Sequence, residues 1–170
     1  MLVVTDTSPI NYLVLIGHID VLPVLFERIV IPQAVVEELR DERTPDIVRQ
    51  WIAAPPSWCA TQSLQGVLDP ALLSLGSGER EAIALCQQIG ADALLTDDTR
   101  AYDEARAREI GVIRTLALLE RASLRGLLDL PTAIAKLQAT TFYAPAHVIN
   151  DMLARHAARN PTRPLRAPEP

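Results

Sequence analysis

Apolar residues follow two patterns along the chain, short continuous runs and longer stretches at helical spacing. Short runs bounded by Pro, Gly or acidic residues indicate buried strands, whereas apolar positions three and four residues apart indicate helices. The predicted strands are residues 2–6, 28–32, 57–62 (at a sheet edge), 92–98 and 112–115. The predicted helices are residues 8–26 (with a break near Gly17), 33–40, 44–54, 76–90, 99–111, 116–126, 130–142 and 145–158. This alternation predicts a three-layer α/β/α fold with a central, mainly parallel sheet of four or five strands.

The length of 170 residues, without an internal repeat, favours a single domain. We place it at residues 1–158, with the helices of 130–158 appended to the sheet. Residues 159–170 contain four prolines in twelve positions, which predicts a disordered tail rich in Pro and Arg. No window approaches 18 uninterrupted apolar residues and the first residues lack a basic segment, so we expect a cytoplasmic protein with neither a membrane span nor a secretory signal.

Charge is distributed unevenly along the chain, whose formal net charge is −5. Residues 1–98 contain 5 basic and 14 acidic residues, giving −9, whereas residues 99–170 contain 11 and 7, giving +4. The total alone argues against a nucleic-acid partner. An acidic half joined to an Arg-rich half is nevertheless compatible with a protein that gathers carboxylates at one site and contacts phosphate elsewhere.

Acidic residues stand where two predicted strands end. The stretch "VVTDTSP" carries the first strand directly into Asp6, and a later strand ends at Asp97 and Asp98. Ser8 as N-cap, followed by Pro9, already supplies a helix start, so Asp6 is not required as a cap. Ligands of parallel sheets bind beyond the carboxyl ends of the strands. If the two strands are neighbours, three carboxylates meet at this edge.

Two glutamates lie unusually close to the apolar face of their helices. At 100° per residue, Glu38 lies roughly 70° from the centre of the apolar face, whereas Glu37 points almost directly away. Glu79 lies roughly 50° from the apolar centre of its helix, and Glu81 roughly 110° away, toward solvent. A carboxylate at such a position is costly unless it is paired or coordinated.

Each acid also has a simpler explanation. Glu79 could complement a helix dipole, Glu38 could pair with an arginine, and Asp98 could cap the helix that follows it. One explanation covers all of them, namely an acidic cluster of Asp6, Glu38, Glu79 and Asp98, with Asp97 as a further member. Like charges in one pocket resist ionisation unless a cation neutralises them. Oxygen ligands favour Mg²⁺ or Mn²⁺.

Other residues do not suggest a different metal. The three histidines, His18, His147 and His156, are scattered along the sequence, and we interpret them as structural or surface residues. Cys59 and Cys86 are too far apart to form a ligand-spaced pair, and we interpret them as free thiols.

Four stretches together resemble the successive motifs of a PIN-domain protein. They are "VVTDTSP", "IVIPQAVVEEL", "GSGEREAIAL" and "ADALLTDDTRAYDEARAREIGV". The chain is similar, more narrowly, to the VapC-like branch, from about residue 2 to about residue 155. The resemblance implies a PIN-like fold and a Mg²⁺- or Mn²⁺-dependent endoribonuclease. In many cases such a protein is the toxin of a toxin–antitoxin pair, which implies RNA and a cognate antitoxin as partners.

The resemblance also assigns residues to the site. The first acid of the family matches Asp6, with Ser8 as the nearby hydroxyl, and the second and third match Glu38 and Glu79. The fourth matches Asp98, although its neighbour Asp97 leaves this choice open. Arg100 and Arg106 are the residues that we expect to guide the RNA backbone.

Two other functions are alternatives to a metal-dependent ribonuclease. A haloacid-dehalogenase-type phosphatase normally has a second Asp two positions after the first, but Ser8 stands there and the first lysine of the chain is Lys136. A non-catalytic metal- or nucleic-acid-binding module could instead act through a protein partner. The apolar stretch 11–26 could support a homodimer, or could belong to the core.

Overall fold

A computed structural model describes residues 1–159 and contains one five-stranded sheet. The strands are β1 (Leu2–Thr5), β2 (Arg28–Pro32), β3 (Cys59–Gln62), β4 (Ala93–Leu95) and β5 (Gly111–Ile113). Their order is β3-β2-β1-β4-β5, and every neighbouring pair is parallel. The predicted parallel sheet is therefore confirmed, with β3 at an edge as expected. β4 is shorter than predicted, so Asp97 and Asp98 lie in the loop after it.

Helices occupy the connections between the strands and the segment that follows β5. They are α1 (Thr7–Leu15), α2 (Leu22–Leu25), α3 (Gln33–Arg40), α4 (Asp46–Ala53), α5 (Ser77–Ile89), α6 (Thr99–Ala107), α7 (Thr115–Leu124), α8 (Leu130–Gln138) and α9 (Ala146–Arg159). Short 3₁₀ helices occupy Ile19–Val21 and Pro70–Ser74, and the second of these was not predicted. The predicted tail lies outside the described residues except for Arg159, which ends α9.

The sheet separates two apolar cores. Val3 and Leu95 face the core that is shared with α1 to α4 and α7 to α9. Val4 and Leu94 face the other core, which is shared with α5 and α6. Strands buried on both faces need apolar residues at every position, which explains their continuous runs. The three-layer α/β/α prediction is therefore confirmed.

The apolar stretch 11–26 belongs mostly to the first core. Its buried members are Leu13, Val14, Ile16, Ile19, Val21, Leu22, Leu25 and Phe26. Val24 is the exception, since 49% of its surface is exposed. No single helix within residues 1–159 is both long and apolar enough to cross a membrane, and α1 meets the segment Ile19–Leu25 at a bend of 116°.

Both cysteines are buried free thiols, as predicted. Cys59 lies in the first core and Cys86 in the second. Burial raises the pKa of each thiol to about 12, so both stay protonated at neutral pH.

The strand order reverses between β1 and β4. The chain proceeds from β1 through β2 to β3 on one side and then crosses to β4 on the other side of β1. Open parallel sheets bind ligands in the crevice at such a switch point, beyond the carboxyl ends of the strands. Asp6 follows β1 and Asp97 follows β4, so both acids stand at this crevice.

Candidate active site

Asp6 is the most buried acid of the site, with 2% of its surface exposed. Its backbone N–H donates to the Leu95 carbonyl at 3.0 Å, which fixes the residue between β1 and β4. The Thr96 hydroxyl donates to Asp6 Oδ2, whereas Oδ1 is buried without a hydrogen-bond partner among the described residues. Buried polar atoms are almost always satisfied, so this oxygen is available to a cation or to a water molecule.

The start of α1 differs from the prediction. The helix begins at Thr7, which puts Asp6 rather than Ser8 at the N-cap position. The Asp6 side chain nevertheless makes no capping hydrogen bond. Because Pro9 has no N–H and fits the first turn of a helix, the turn forms without a side-chain cap. The Asp6 carboxylate therefore does not cap α1, as predicted. The reason differs, because the sequence analysis expected Ser8 to be the cap.

Asp98 combines a cap with an open oxygen. Its Oδ1 accepts from the Ala101 N–H at 2.8 Å, so the capping alternative is right for this atom. No hydrogen bond reaches its Oδ2 within residues 1–159. The Asp98 N–H donates to Thr96 Oγ1 at 3.2 Å. Thr96 therefore connects Asp98 to Asp6.

Asp97 has both carboxylate oxygens engaged elsewhere. Oδ1 accepts from the Thr115 N–H at 2.9 Å and Oδ2 from the Thr115 hydroxyl at 2.6 Å. Thr115 is the first residue of α7 and is fully buried. Asp97 therefore ties the end of β4 to the start of α7.

Glu38 holds the first turn of α5. Its Oε1 accepts from the Gly78 N–H at 2.7 Å and from the Ser77 hydroxyl at 2.5 Å. The Thr7 hydroxyl donates to Oε2. The partner of Glu38 is thus a helix N-terminus rather than the arginine considered from the sequence, and the helix dipole favours a carboxylate there.

The two glutamates of α5 have different partners from those expected. Glu79 Oε2 accepts from the Gly76 N–H at 2.9 Å, which confirms the helix-start alternative for that atom, and no hydrogen bond reaches its Oε1 within the described chain. Glu81 is half-buried, so its predicted solvent position is wrong. Glu81 accepts from the N–H groups of Ala34, at 2.8 Å, and Leu64, at 3.3 Å, because the loop after β3 covers it.

Gly78 is in close contact with Glu38, which leads to a stability prediction. A Cβ at Gly78 would lie 2.6 Å from Glu38 Oε2 and 3.0 Å from Thr7 Oγ1. We expect Gly78→Ala to lower the free energy of unfolding by about 1–3 kcal/mol, the usual cost of overpacking. Urea denaturation measures this change. Ser77→Ala removes a Glu38 donor without adding a clash and should cost about 1 kcal/mol. A Gly78→Ala protein as stable as wild type would contradict the packing described here.

Electrostatic coupling centres on Asp6. Burial raises the pKa of Asp6 well above its usual value, and the negative charges of Asp97 and Glu79 raise it further. The hydrogen bond from Thr96 opposes this shift, as does the nearby backbone N–H of Ser8, which does not reach hydrogen-bonding geometry with the Asp6 side chain. Burial likewise raises the pKa of Asp97, against the opposing hydrogen bonds from Thr115.

The same field extends to the other acids. Burial raises the pKa of Glu79, and the charges of Asp98 and Glu38 add to the shift. The Arg100 guanidinium acts in the opposite direction and lowers the pKa of Glu79. Asp97 and Glu79 thus act on Asp6, and Asp98 and Glu38 act on Glu79, which connects all five predicted carboxylates. We call them the carboxylate cluster: Asp6, Glu38, Glu79, Asp97 and Asp98.

The donors of this cluster fit a hard divalent cation in their chemistry. Within residues 1–159, no three His, Cys, Asp or Glu side chains are already close enough together to hold a metal ion. Three carboxylates nevertheless keep one oxygen without a hydrogen bond from the described residues, namely Asp6 Oδ1, Glu79 Oε1 and Asp98 Oδ2. Carboxylate oxygens suit Mg²⁺ and Mn²⁺. Binding requires the Glu79 and Asp98 side chains to turn toward the buried Asp6 oxygen.

The predicted substrate-binding residues are not all brought to the site. Ser8 lines a groove of about 740 Å³ that also reaches Glu38. Arg100 lies in the first turn of α6, donates to the Ser74 carbonyl and lowers the pKa of Glu79. Arg106 lies six residues further along α6, about 9 Å along the helix axis, in the direction of the amino ends of the strands. The structure therefore does not bring Arg106 to the carboxylate cluster.

Threonine hydroxyls are the part of the site that the sequence interpretation missed. Thr7, Thr96 and Thr115 each donate a hydroxyl hydrogen bond to a cluster carboxylate. The sequence contains a signal for them, because each stands at a strand end or at the first residue of a helix. Hydroxyls at such positions are available to orient the neighbouring carboxylates.

The parallel sheet and the carboxylates at its switch point place the protein in the class of α/β proteins with an acidic site. The chain belongs to the PIN-domain family, because the family model DUF3368, described as a PIN domain, matches residues 2–158. PIN domains are generally nucleases that use divalent metal ions. The sequence matches no curated protein. Among solved structures it is similar to a PilT N-terminus domain protein from the hyperthermophilic archaeon Sulfolobus solfataricus P2, at 13% identity and a TM-score of 0.46, over 85% of this chain and 100% of that one.

Proposed function

We propose that the protein is a Mg²⁺- or Mn²⁺-dependent endoribonuclease that hydrolyses phosphodiester bonds of RNA. The observation that carries the proposal is the buried Oδ1 of Asp6, which has no hydrogen-bond partner in the described part of the chain and lies among acids at the switch point of the sheet. Membership of the PIN-domain family supports nuclease activity. The Arg-rich second half of the chain supports a polyanionic substrate.

The carboxylates divide into ligands and supports in this proposal. Asp6, Glu79 and Asp98 would hold the cation through their free oxygens. Glu38 positions the first turn of α5, and with it Glu79, through its bonds to Ser77 and Gly78. Asp97 positions the loop after β4 through Thr115. A bound divalent cation supplies Lewis acidity, which activates water and stabilises charge on the scissile phosphate.

Substrate contacts follow from the same geometry. Arg100 lies in the first turn of α6, close enough for its charge to lower the pKa of Glu79, and there it can contact a phosphate of the RNA backbone. Ser8 presents a hydroxyl in the groove that reaches Glu38, where it can donate to a phosphate or sugar oxygen. Burial keeps water away from Asp6, which strengthens its interaction with a cation.

The neighbouring acids Asp97 and Asp98 provide a matched test. We expect Asp98→Asn to lower Mg²⁺-dependent cleavage by more than about 100-fold, because it loses a ligand while Asn still caps the helix. Asp97→Asn should lose about 10-fold or less, because an amide keeps both contacts with Thr115. Cleavage of a labelled single-stranded RNA, with EDTA as the blank, measures both variants. Loss in the reverse order would contradict the assignment.

The proposed cellular role is that of a toxin held inactive by a cognate antitoxin, and the similarity to the VapC-like branch supports it. A homodimer remains part of the proposal. The stretch 11–26 lies mainly in the core, but it leaves Val24 exposed. Arg125 donates to the Val24 carbonyl at 2.9 Å, which brings the exposed Leu124 into the same region of the surface.

A non-catalytic module is the second candidate function. The observation that favours it is the formal net charge of −5, together with the need for cluster side chains to turn before they can share a cation. RNA binding without cleavage in Mg²⁺ or Mn²⁺ would support this candidate over the nuclease.

A further inference from the structure

Tyr143 differs from the other aromatic residues of the protein. The chain has two Trp, three Tyr and two Phe residues, all within the described part. Six of these rings lie against another ring or below a guanidinium: Trp51 with Trp58, Tyr12 with Phe142, Tyr102 below Arg114, and Phe26 below Arg121. Tyr143 has no such partner among residues 1–159, and 85% of its surface is exposed. Its ring is therefore available to a ligand.

A pocket of about 460 Å³ lies beside this ring, and we call it the Tyr143 pocket. Its apolar wall includes Pro145, Val148 and Met152. Arg114 and Arg155 contribute two guanidinium groups to the lining. The volume is within the range of small-ligand sites, which begins at about 300 Å³.

The Tyr143 pocket adjoins the carboxylate cluster. Asp97 belongs to both, since it lines the pocket and is the sequence neighbour of Asp98. The groove that reaches Glu38 lies on the other side of the 139–145 segment, because Ala139 to Thr141 line that groove and Phe142 to Pro145 line the pocket. Tyr12 holds this segment in place, with its ring 5.0 Å from that of Phe142. An RNA strand that crosses the carboxylate cluster would thus meet the groove on one side and the Tyr143 pocket on the other.

We propose that the Tyr143 pocket binds one unpaired nucleobase of the RNA, next to the bond that is cut. The inference rests on the proposed function and names the part of the substrate that the pocket recognises. Unstacked bases in single-stranded RNA are bound by stacking on aromatic rings and guanidinium planes. The pocket offers an exposed ring, an apolar wall and two arginines, which are the groups that this recognition uses.

The charged groups of the pocket balance one another, since its lining contains Arg114 and Arg155 together with Asp97 and Glu120. Arg114 stands with its Cζ 4.7 Å above the Tyr102 ring, so its position is fixed. Arg155 is held by Glu120, with two N–O distances of 3.4 Å. Guanidinium groups oriented in this way present flat faces on which a base can stack and N–H groups that can donate to a neighbouring phosphate.

The experiment measures RNA binding separately from cleavage. Fluorescence anisotropy of a labelled single-stranded oligoribonucleotide is recorded with the Asp6→Asn protein, which we expect not to cleave, and with the same protein carrying Tyr143→Ala, Tyr143→Phe or His147→Ala. The Kd should rise roughly 5- to 150-fold for Tyr143→Ala, which is the usual effect of losing one base-stacking ring. Tyr143→Phe keeps the ring and should bind as before. His147 is exposed beside the pocket but does not line it, so His147→Ala is the matched control.

An abasic series locates the base. Oligonucleotides that lack one base at each position in turn should show a single position whose loss weakens binding to the parent protein but not to Tyr143→Ala. In cleavage by otherwise wild-type protein, Tyr143→Ala should raise KM and leave kcat nearly unchanged. If the Tyr143→Ala protein binds RNA as tightly as its parent, the inference is overturned. This holds even if the variant has lost the ability to bind another protein, because the pocket would then be a protein-binding site. If the wild-type protein does not cleave RNA but its RNA binding still depends on Tyr143, the nuclease proposal is overturned and the base-binding pocket is retained.

Discussion

Asp6→Asn is expected to lower metal-dependent RNA cleavage by at least about 100-fold, since loss of an outer-shell partner alone typically costs 10- to 100-fold. The substitution removes the charge of the one buried carboxylate whose Oδ1 has no partner among the described residues. Single-turnover cleavage of labelled RNA in excess Mg²⁺ measures the loss. Glu37→Gln is the matched control, because Glu37 is an exposed acid one residue from Glu38. Cleavage by Asp6→Asn at the wild-type rate would refute the role given to this residue.

The same substitution should not unfold the protein. An Asn side chain at position 6 still has an oxygen that can accept from the Thr96 hydroxyl, as Asp6 Oδ2 does. It also removes a buried charge whose neighbours Asp97 and Glu79 are acidic. The free energy of unfolding in metal-free buffer at neutral pH should therefore be equal to or higher than that of wild type. Inactivity can then be separated from misfolding by thermal denaturation of the same sample.

Mg²⁺ is expected to stabilise the wild-type protein, and more strongly as the pH rises. The pKa values of Asp6, Glu79 and Asp97 are raised in the folded state, chiefly by burial. Without metal, these groups favour folding at a pH below their unfolded pKa values, and that contribution is lost as the pH rises through the folded ones. A cation binds the deprotonated form and offsets the loss. At about 100 times its Kd it adds about 2.7 kcal/mol, or roughly 5–10 °C in Tm.

Differential scanning fluorimetry over a pH series, with EDTA or Mg²⁺, measures this effect. The difference in Tm between the two conditions should grow with pH and should be much smaller for Asp6→Asn. A difference in Tm that is independent of pH, or equal in wild type and Asp6→Asn, would mean that the ion binds elsewhere.

The parts of the fold that depend on periodicity could be predicted from the sequence. Strands buried on both faces produce continuous apolar runs, and β2 and α3 have the predicted bounds. The helical periodicity of α3 also distinguished Glu38 from Glu37, because it shows which side of the helix packs against the rest of the protein. Clustering of the acids at one sheet edge follows from the parallel arrangement of β1 and β4.

Contacts between distant segments could not be predicted in this way. Glu81 lies on the polar side of α5, yet the loop at Leu64 and the start of α3 cover it. Periodicity within one helix carries no information about such coverage. The choice between Asp97 and Asp98 had the same difficulty, because it depends on Thr115, which lies 18 residues away in the sequence.

Arg106 shows a further limit. Composition placed it in an Arg-rich segment beside the site, but helix geometry separates it from Arg100 by about 9 Å along the axis. Helices that follow the strands of a parallel sheet run back toward the amino ends of those strands, so only the first turn of α6 stays near the carboxyl ends.

Hydrolysis of single-stranded RNA by the purified wild-type chain, with and without a divalent metal, tests the central claim most directly. Cleavage should occur in Mg²⁺ or Mn²⁺, cease in EDTA and return when Mn²⁺ is added in excess over the chelator. Cleavage at an equal rate in EDTA, or none in either metal, would contradict the claim that the carboxylates at the β1–β4 switch point form a metal-dependent ribonuclease site.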